Sequence, residues 1–253
     1  MTELLTSPEF IWSWIGLAGV VLVSLMFISA PYGRHVRSGW GPLIPARLSW
    51  VVMELPALVV PVLCFIYSAR WDDWVAMVFL GLWACHYTYR SLVYPFLNRV
   101  PGKPVPISVA CFALVFNLVN GALQGTFLFL AAPRHTIGWL TDGRFGLGLA
   151  MFCLGFIIHV RSDAMLRRLR WTAGAGYRIP HGFLYRWVSA PNYLGEMLQW
   201  AGWALLTWSM AGLSFAVWTV ANLLPRAMSN HRWYQETFED YPPKRKAVLP
   251  FIL

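Results

Sequence analysis

Apolar residues run along this chain in long stretches with polar residues collected between them, a pattern that reads first as helices long enough to cross a bilayer. The stretches fall at residues 10–30, 48–68, 73–97, 105–131, 145–166, 192–210 and 212–228. Most approach the roughly 20 residues needed to span a hydrocarbon core of about 30 Å. Pro42, Pro45, Pro101, Pro104, Pro106, Pro242 and Pro243 lie in connections, where proline stops a helix, whereas Pro56 and Pro61 predict a bend in the second stretch. The uncharged link Ser209-Met210-Ala211-Gly212 predicts a tight turn between the last two helices. The first stretch has no basic region before it and is long enough to span, so it is expected to stay as a helix. With no internal repeat or low-complexity tract, the chain reads as one domain over 1–253. The expected fold is all-α, a polytopic membrane protein forming a seven-transmembrane-helix bundle.

Composition agrees. With 58% of residues hydrophobic and 12% charged, a soluble fold of 253 residues would lack the polar surface to cover itself. Fifteen Trp and ten Tyr suit interfacial belts, with some rings left to line a cavity for a flat apolar ligand. A net charge of +9 could suggest nucleic acid, but the Lys and Arg sit in short segments between apolar runs and make no continuous basic face. No nucleic-acid partner is expected. Cys64, Cys85, Cys111 and Cys153 each lie inside an apolar run, without a CxxC pair or a His-Cys cluster at ligand spacing. They read as small core residues, and no metal is expected.

Basic residues orient the bundle, because cytoplasmic loops retain positive charge. Arg34, Arg37 and Arg47 fall on one side, joined by Arg99 and Lys103, by the run from Arg161 to Arg186, and by Arg226, Arg232, Lys244, Arg245 and Lys246. The other side holds only Arg70, Arg134 and Arg144. An odd number of spans fits, with the N-terminus outside and the C-terminus cytoplasmic, so that the chemistry opens to the cytoplasm. A bacterial inner membrane and the endoplasmic reticulum both satisfy this.

Ionisable residues inside apolar helices are expensive and mark function by default. Glu54 stands alone in its stretch, where a carboxyl is expected to stay protonated and act as a hydrogen-bond donor; an interhelical partner is the competing role. In the segment HYTYRSLVY, His86, Arg90 and Tyr94 share one helix face and Tyr87 an adjacent one. An aromatic belt with a snorkelling Arg would produce the same pattern. Asp163, Arg167 and Arg170, continuing to Tyr177 and Arg178, suit a phosphate-bearing ligand, since Arg pairs two phosphate oxygens at once; plain cytoplasmic charge is the rival. Asn192, Glu196 and Trp200 share a face of the sixth stretch, with Arg226, His231 and Tyr234 after the seventh. No GxGxxG joins a strand to a helix, so any dinucleotide would be held by helix ends and loops. Asn117, Asn120 and Gln124 share a face of the fourth helix and read as interhelical hydrogen-bonding groups.

The blocks Glu54-Leu55-Pro56, His86-Tyr87 with Arg90, Ser162-Asp163 through Leu169-Arg170, Tyr177-Arg178-Ile179-Pro180, Asn192 to Glu196, Pro225-Arg226-Ala227 and Phe238 to Pro242 resemble the steroid 5α-reductases. The resemblance covers nearly the whole chain and is most specific in its C-terminal half. It implies NADPH-dependent reduction of the Δ4 double bond of a 3-oxo steroid, with hydride added at C5 and charge driven onto the 3-oxygen. Tyr87 and Glu54 match the family positions that hold the ketone. Asp163, Arg170, Tyr177, Arg178, Asn192, Glu196, Arg226, His231 and Tyr234 match positions associated with NADPH, and Arg34, Arg90, Tyr94 and Asn98 join them.

The chain departs from the family in three places. Met53 stands where Gln is common before the Glu, beside the substrate; His159 replaces an amide before the Ser-Asp pair; and Arg34 stands for a Lys. A polyprenal or enoyl-thioester reductase remains the serious rival. An isoprenylcysteine-type methyltransferase would leave the Glu54 and Tyr87 pair without a task, and a transporter would need an inverted repeat that is absent. The expected partners are a steroid or similar apolar enone and membrane lipid, with the chain acting as a monomer.

Overall fold

The computed structural model describes residues 2–97, 103–173 and 176–253. Its helices are α1 (Thr2–Thr6), α2 (Pro8–Phe27), α3 (Ala46–Ser68), α4 (Trp74–Thr88), α5 (Tyr94–Leu97), α6 (Ile107–Gly125), α7 (Gly143–Ala173), α8 (Pro191–Thr207) and α9 (Met210–Thr237). A π turn at Tyr89–Val93 joins α4 to α5, and another at Thr126–Ala131 extends α6. The strands β1 (Leu43–Ile44) and β2 (Val105–Pro106) form a short antiparallel ribbon. Among the described residues, four helical segments are long and apolar enough to cross a membrane: Pro8–Phe27, Ala46–Ser68, Ile107–Ala131 and Gly143–Thr172. The fold is that of an all-α membrane protein. Val20, Leu63, Phe112 and Leu154 are exposed on these helices, as expected of side chains that face lipid.

Two expectations are corrected. Cys85, Cys111 and Cys153 are exposed and Cys64 is only half-buried, because on a lipid-facing helix a small thiol need not seek the core. The reversal between the last two helices also comes earlier than the Ser209–Gly212 link. It falls at Trp208, whose left-handed backbone (φ 45°) ends α8, so that α9 already begins at Met210.

The chain divides into two compact units. The first comprises Met1–Trp14, Ala30–Gly146 and Ser209–Ala211. Within it α3 and α6 run parallel: Asn117 Nδ2 donates to the Met53 carbonyl at 2.7 Å, Gly121 abuts Pro56 and Ala57, and Gly125 abuts Pro61 and Cys64. A Cβ on Gly125 would sit 2.9 Å from Pro61 Cα, so only glycine permits this approach. Parallel neighbours require the chain to return between them, and α4 does so. The ring of Pro61 removes the amide that would bond the Ala57 carbonyl one turn back, and the Trp83 indole on α4 donates to that carbonyl at 2.6 Å. At one end of the unit β1 pairs with β2 and Ser108 Oγ donates to Trp40 O at 2.6 Å. At the other, Arg70 Nη2 donates to Ala132 O at 2.8 Å, Arg134 pairs with Asp72 at 2.7 Å, and Asp73 caps α4 through the Ala76 amide.

The second unit comprises Ile15–Ser29, Leu147–Trp208 and Gly212–Leu253. Here α7 and α8 pack antiparallel along a seam of four glycines. Added Cβ atoms would lie 2.5 Å from Leu206 N at Gly148, against Gln199 N at Gly155, 2.5 Å from His159 N at Gly195 and 2.6 Å from Gly148 O at Gly202. Backbone touches backbone along its length. The C-terminal segment lies beside residues 187–190, with Ser189 N donating to Lys246 O at 2.8 Å and Ala190 N to Ala247 O at 3.0 Å.

Candidate active site

In the first unit, Glu54 projects from α3 and is half-buried, and it does not stand alone. Arg90 Nη2 lies 3.5 Å from Glu54 Oε1. The π turn makes this possible: the Tyr94 amide bonds back to Tyr89 O across five residues, admitting one extra residue and redirecting the chain beyond it. The Arg90 guanidinium rests over Trp50 at 4.6 Å and Tyr94 at 5.3 Å, and those two rings meet edge to face. Tyr87 is buried between Trp83, with centroids 4.8 Å apart, and His86 at 5.0 Å. Ser91 Oγ donates to the Tyr87 carbonyl at 2.6 Å, supporting the helix where the π turn begins. Met53 is buried, with its carbonyl taken by Asn117. Arg34 is half-buried in the 3-10 turn Gly33–His35. Asn98 lies outside the described residues.

The second unit gathers most of the remaining site residues into two networks. On the α7–α8 seam, Asn192 Nδ2 donates to Asp163 Oδ1 at 3.1 Å. His159, fully buried, lies with Nδ1 3.1 Å from Glu196 Oε1 and Nε2 3.8 Å from Asp163 Oδ2, at ion-pair distance but without hydrogen-bond alignment. Gly155 and Gly195 bring the helices close enough for these short side chains to meet.

The second network joins α9 to the C-terminal segment. Ser189 Oγ is 2.6 Å from His231 Nδ1 and 2.5 Å from the Tyr241 hydroxyl, and also donates to Lys246 O. Tyr234 stacks on Tyr241 with planes 9° apart and packs with Ile179, while Tyr177 meets Trp233 edge to face. Arg226 Nε donates to the Tyr193 hydroxyl at 2.9 Å. Burial, reinforced by the charges of Arg245 and Lys246, holds His231 below its ordinary pKa, and burial raises the Tyr241 phenol against the pull of Ser189. Arg245 is only 3% exposed; its guanidinium lies 5.0 Å over the Tyr241 ring, and Nε and Nη1 have no hydrogen-bond partner. Arg170 and Arg178 are exposed and join neither network.

Sequence reasoning does not find Ser189, Tyr193, Tyr241 or Arg245 as site residues. Tyr241 stands inside the Phe238 to Pro242 block, and Arg245 counts there only as cytoplasmic charge. His159 shows in sequence only as a departure from the family, yet it bridges Asp163 and Glu196. Among the described residues, no group of three or more His, Cys, Asp or Glu is placed to hold a metal.

Comparison with known proteins adds a chemical label. Residues 103–253 match the family model described as 3-oxo-5-alpha-steroid 4-dehydrogenase. The chain is 42% identical to 3-oxo-5-alpha-steroid 4-dehydrogenase 1 of Bos taurus, over 94% of this chain and 93% of that protein. It is 39% identical to a steroid 5-alpha-reductase of Solanum lycopersicum, over 93% of each, and 40% identical to 3-oxo-5-alpha-steroid 4-dehydrogenase 1 of Homo sapiens, over 87% of this chain and 85% of that protein.

Proposed function

We propose, from the premise that this chain belongs to the 3-oxo-5-alpha-steroid 4-dehydrogenase family of oxidoreductases, that it reduces the Δ4 double bond of a 3-oxo-Δ4-steroid to the 5α-3-oxosteroid with NADPH. The observation that carries the reading is the set of aromatic rings around two candidate donors: Tyr87 is buried against Trp83, and half-buried Glu54 lies beside Arg90, whose guanidinium rests over Trp50 and Tyr94. Such an aromatic surround suits a flat apolar substrate with one polar end. Tyr87 donates to the 3-oxo oxygen, and Glu54, in its protonated form, donates beside it. Both bonds strengthen as negative charge gathers on that oxygen, and a dry surround magnifies the gain. Arg90 has two ring faces as alternative partners at similar range, so the carboxyl is not its only ligand.

The second unit fits the cofactor. A buried guanidinium with two unpartnered nitrogens, Arg245, is a seat for a phosphate. Asp163, Asn192 and Glu196 offer amide and carboxylate groups for ribose and amide recognition, and Arg226, His231, Tyr234 and Tyr177 supply polar and ring contacts. Arg170 and Arg178, being exposed, are available to phosphate oxygens. Arg34, Arg90, Tyr94 and Asn98 are assigned to NADPH on the family resemblance alone. When bound, NADPH supplies the hydride that adds to C5. The chain acts as a monomer and as one catalytic domain over 1–253. It has seven spans, an outer N-terminus and a cytoplasmic C-terminus, in a bacterial inner membrane or the endoplasmic reticulum. The pairing of residues 40–45 with 103–108 at one end of the first unit, and of 68–73 with 128–134 at the other, supports that alternation.

The test is to incubate the purified protein with NADPH and a Δ4-3-ketosteroid and to analyse the product by mass and stereochemistry. Gain of two hydrogens with 5α geometry is expected. An untouched steroid alongside a reduced polyprenal or enoyl thioester would transfer the site to that substrate class.

A further inference from the structure

Asn120 is completely buried on α6, and neither Nδ2 nor Oδ1 of its carboxamide has a hydrogen-bond partner. The neighbours on its own face behave differently. Asn117 donates to Met53 O at 2.7 Å and Gln124 to Ala211 O at 2.6 Å, so both tie helices together. A buried amide without partners is costly and is rarely kept unless a ligand or water satisfies it.

The register locates the group. Asn117 meets Met53 and Gly121 meets Pro56 and Ala57, which sets Asn120 beside the turn of α3 that carries Glu54. Because α3 and α6 run parallel, helical periodicity turns Glu54 and Asn120 to the same flank of the pair. That flank is also where Arg90 of the π turn reaches Glu54.

We propose that Asn120 is a third hydrogen-bonding residue of the enone pocket, donating through Nδ2 to the ketone oxygen that Tyr87 and Glu54 hold. The inference rests on the reading of this protein as an enone reductase and adds a residue to its machinery. A neutral amide donor suits the task, because it gains strength as the oxygen becomes an enolate without burying a further charge. Its donor also stays available whichever of Arg90 or the substrate engages Glu54. In the free protein the amide contributes no bond to the fold, so its retention sacrifices stability for substrate recognition.

Three measurements on the full-length protein in detergent test this. Asn120→Leu, of similar volume, should melt at or above the wild-type temperature, whereas a helix-tying amide would melt lower on removal. Its turnover of a Δ4-3-ketosteroid should fall on the order of 10- to 100-fold. The third measurement is the ratio of affinities for the 3-ketone and its 3-deoxo analogue. This is taken within each protein and so is independent of the folded fraction; it should shrink about tenfold in Asn120→Leu. An unchanged ratio, or unchanged turnover, in a folded variant would overturn the role of Asn120 while leaving the reductase reading intact. Wild-type protein that neither binds nor reduces the ketosteroid would bring down both together.

Discussion

In the first unit three buried side chains, Trp83, Asn117 and Gln124, bond to backbone of neighbouring segments, whereas in the second a group of buried and half-buried side chains, His159, Asp163, Asn192 and Glu196, meet one another. Trp83 serves the carbonyl orphaned by Pro61, Asn117 serves Met53 and Gln124 serves Ala211, leaving few polar atoms to face a ligand. The helices of the second unit meet through glycines, need little side-chain bonding to hold them, and release His159, Asp163, Asn192 and Glu196 for a network of their own. The difference fits the proposal that the first unit takes the substrate and the second the cofactor. An apolar substrate needs a tight wall with one polar spot, and a dinucleotide needs many.

The contrast is broken most severely at the polar spot itself. Tyr87→Phe and Glu54→Gln should each lower turnover about 10²- to 10³-fold while NADPH binding and thermal stability persist. The double variant should lose less than the product, since groups acting on one oxygen are not additive. Near-normal turnover in folded Glu54→Gln would reduce the carboxyl to a tether for Arg90.

Next comes the seam. Gly155→Ala drives a methyl into Gln199 N, and because backbone cannot step aside the unfolding free energy should drop by about 3 kcal/mol, near the upper end for overpacking. Gly81, which has open space around it, is the control position and should accept Ala with little change in melting temperature. Equal melting of the two variants would deny that the second unit depends on close backbone approach.

A smaller loss is expected in Trp83→Phe, which keeps a ring but strands the Ala57 carbonyl; about 1–2 kcal/mol should disappear in denaturant titration. The smallest effect concerns pH. His231 is held below its ordinary value of about 6.5, so between the folded and unfolded values the unfolded chain binds more protons. Stability should therefore be full above about pH 7, fall as pH drops through 6.5, and level off below the folded value. A His231→Gln variant should lose that component of the melting profile, and an identical profile would assign the pH dependence elsewhere.

Hydropathy alone locates the helices, because a bilayer demands continuous apolar runs that tertiary context cannot disguise. The features it misses are local. A π turn differs from an α-helix by one residue and carries no compositional mark, so in sequence Arg90 falls on a regular helix face and Glu54 looks solitary. The four seam glycines pass unremarked because glycine frequency alone does not say which faces touch. Asn117, Asn120 and Gln124 are indistinguishable as a stripe of amides, and only register against α3 and Ala211 separates the two that bond from the one that does not. Arg245 and Tyr241 come from a stretch whose burial depends on lying beside residues 187–190, a pairing far apart in sequence.

The π turn at Tyr89–Val93 also bears on descent. It amounts to a single-codon insertion into a regular helix, tolerated because the Tyr94 amide still finds an acceptor at Tyr89. Deleting that one residue would restore ordinary winding and rotate everything beyond it by about 100°, sweeping Tyr94 off the Trp50 ring and the Arg90 guanidinium. A change of helix length here that is not close to a whole turn would therefore surrender the contact of Tyr94 with Trp50 and Arg90.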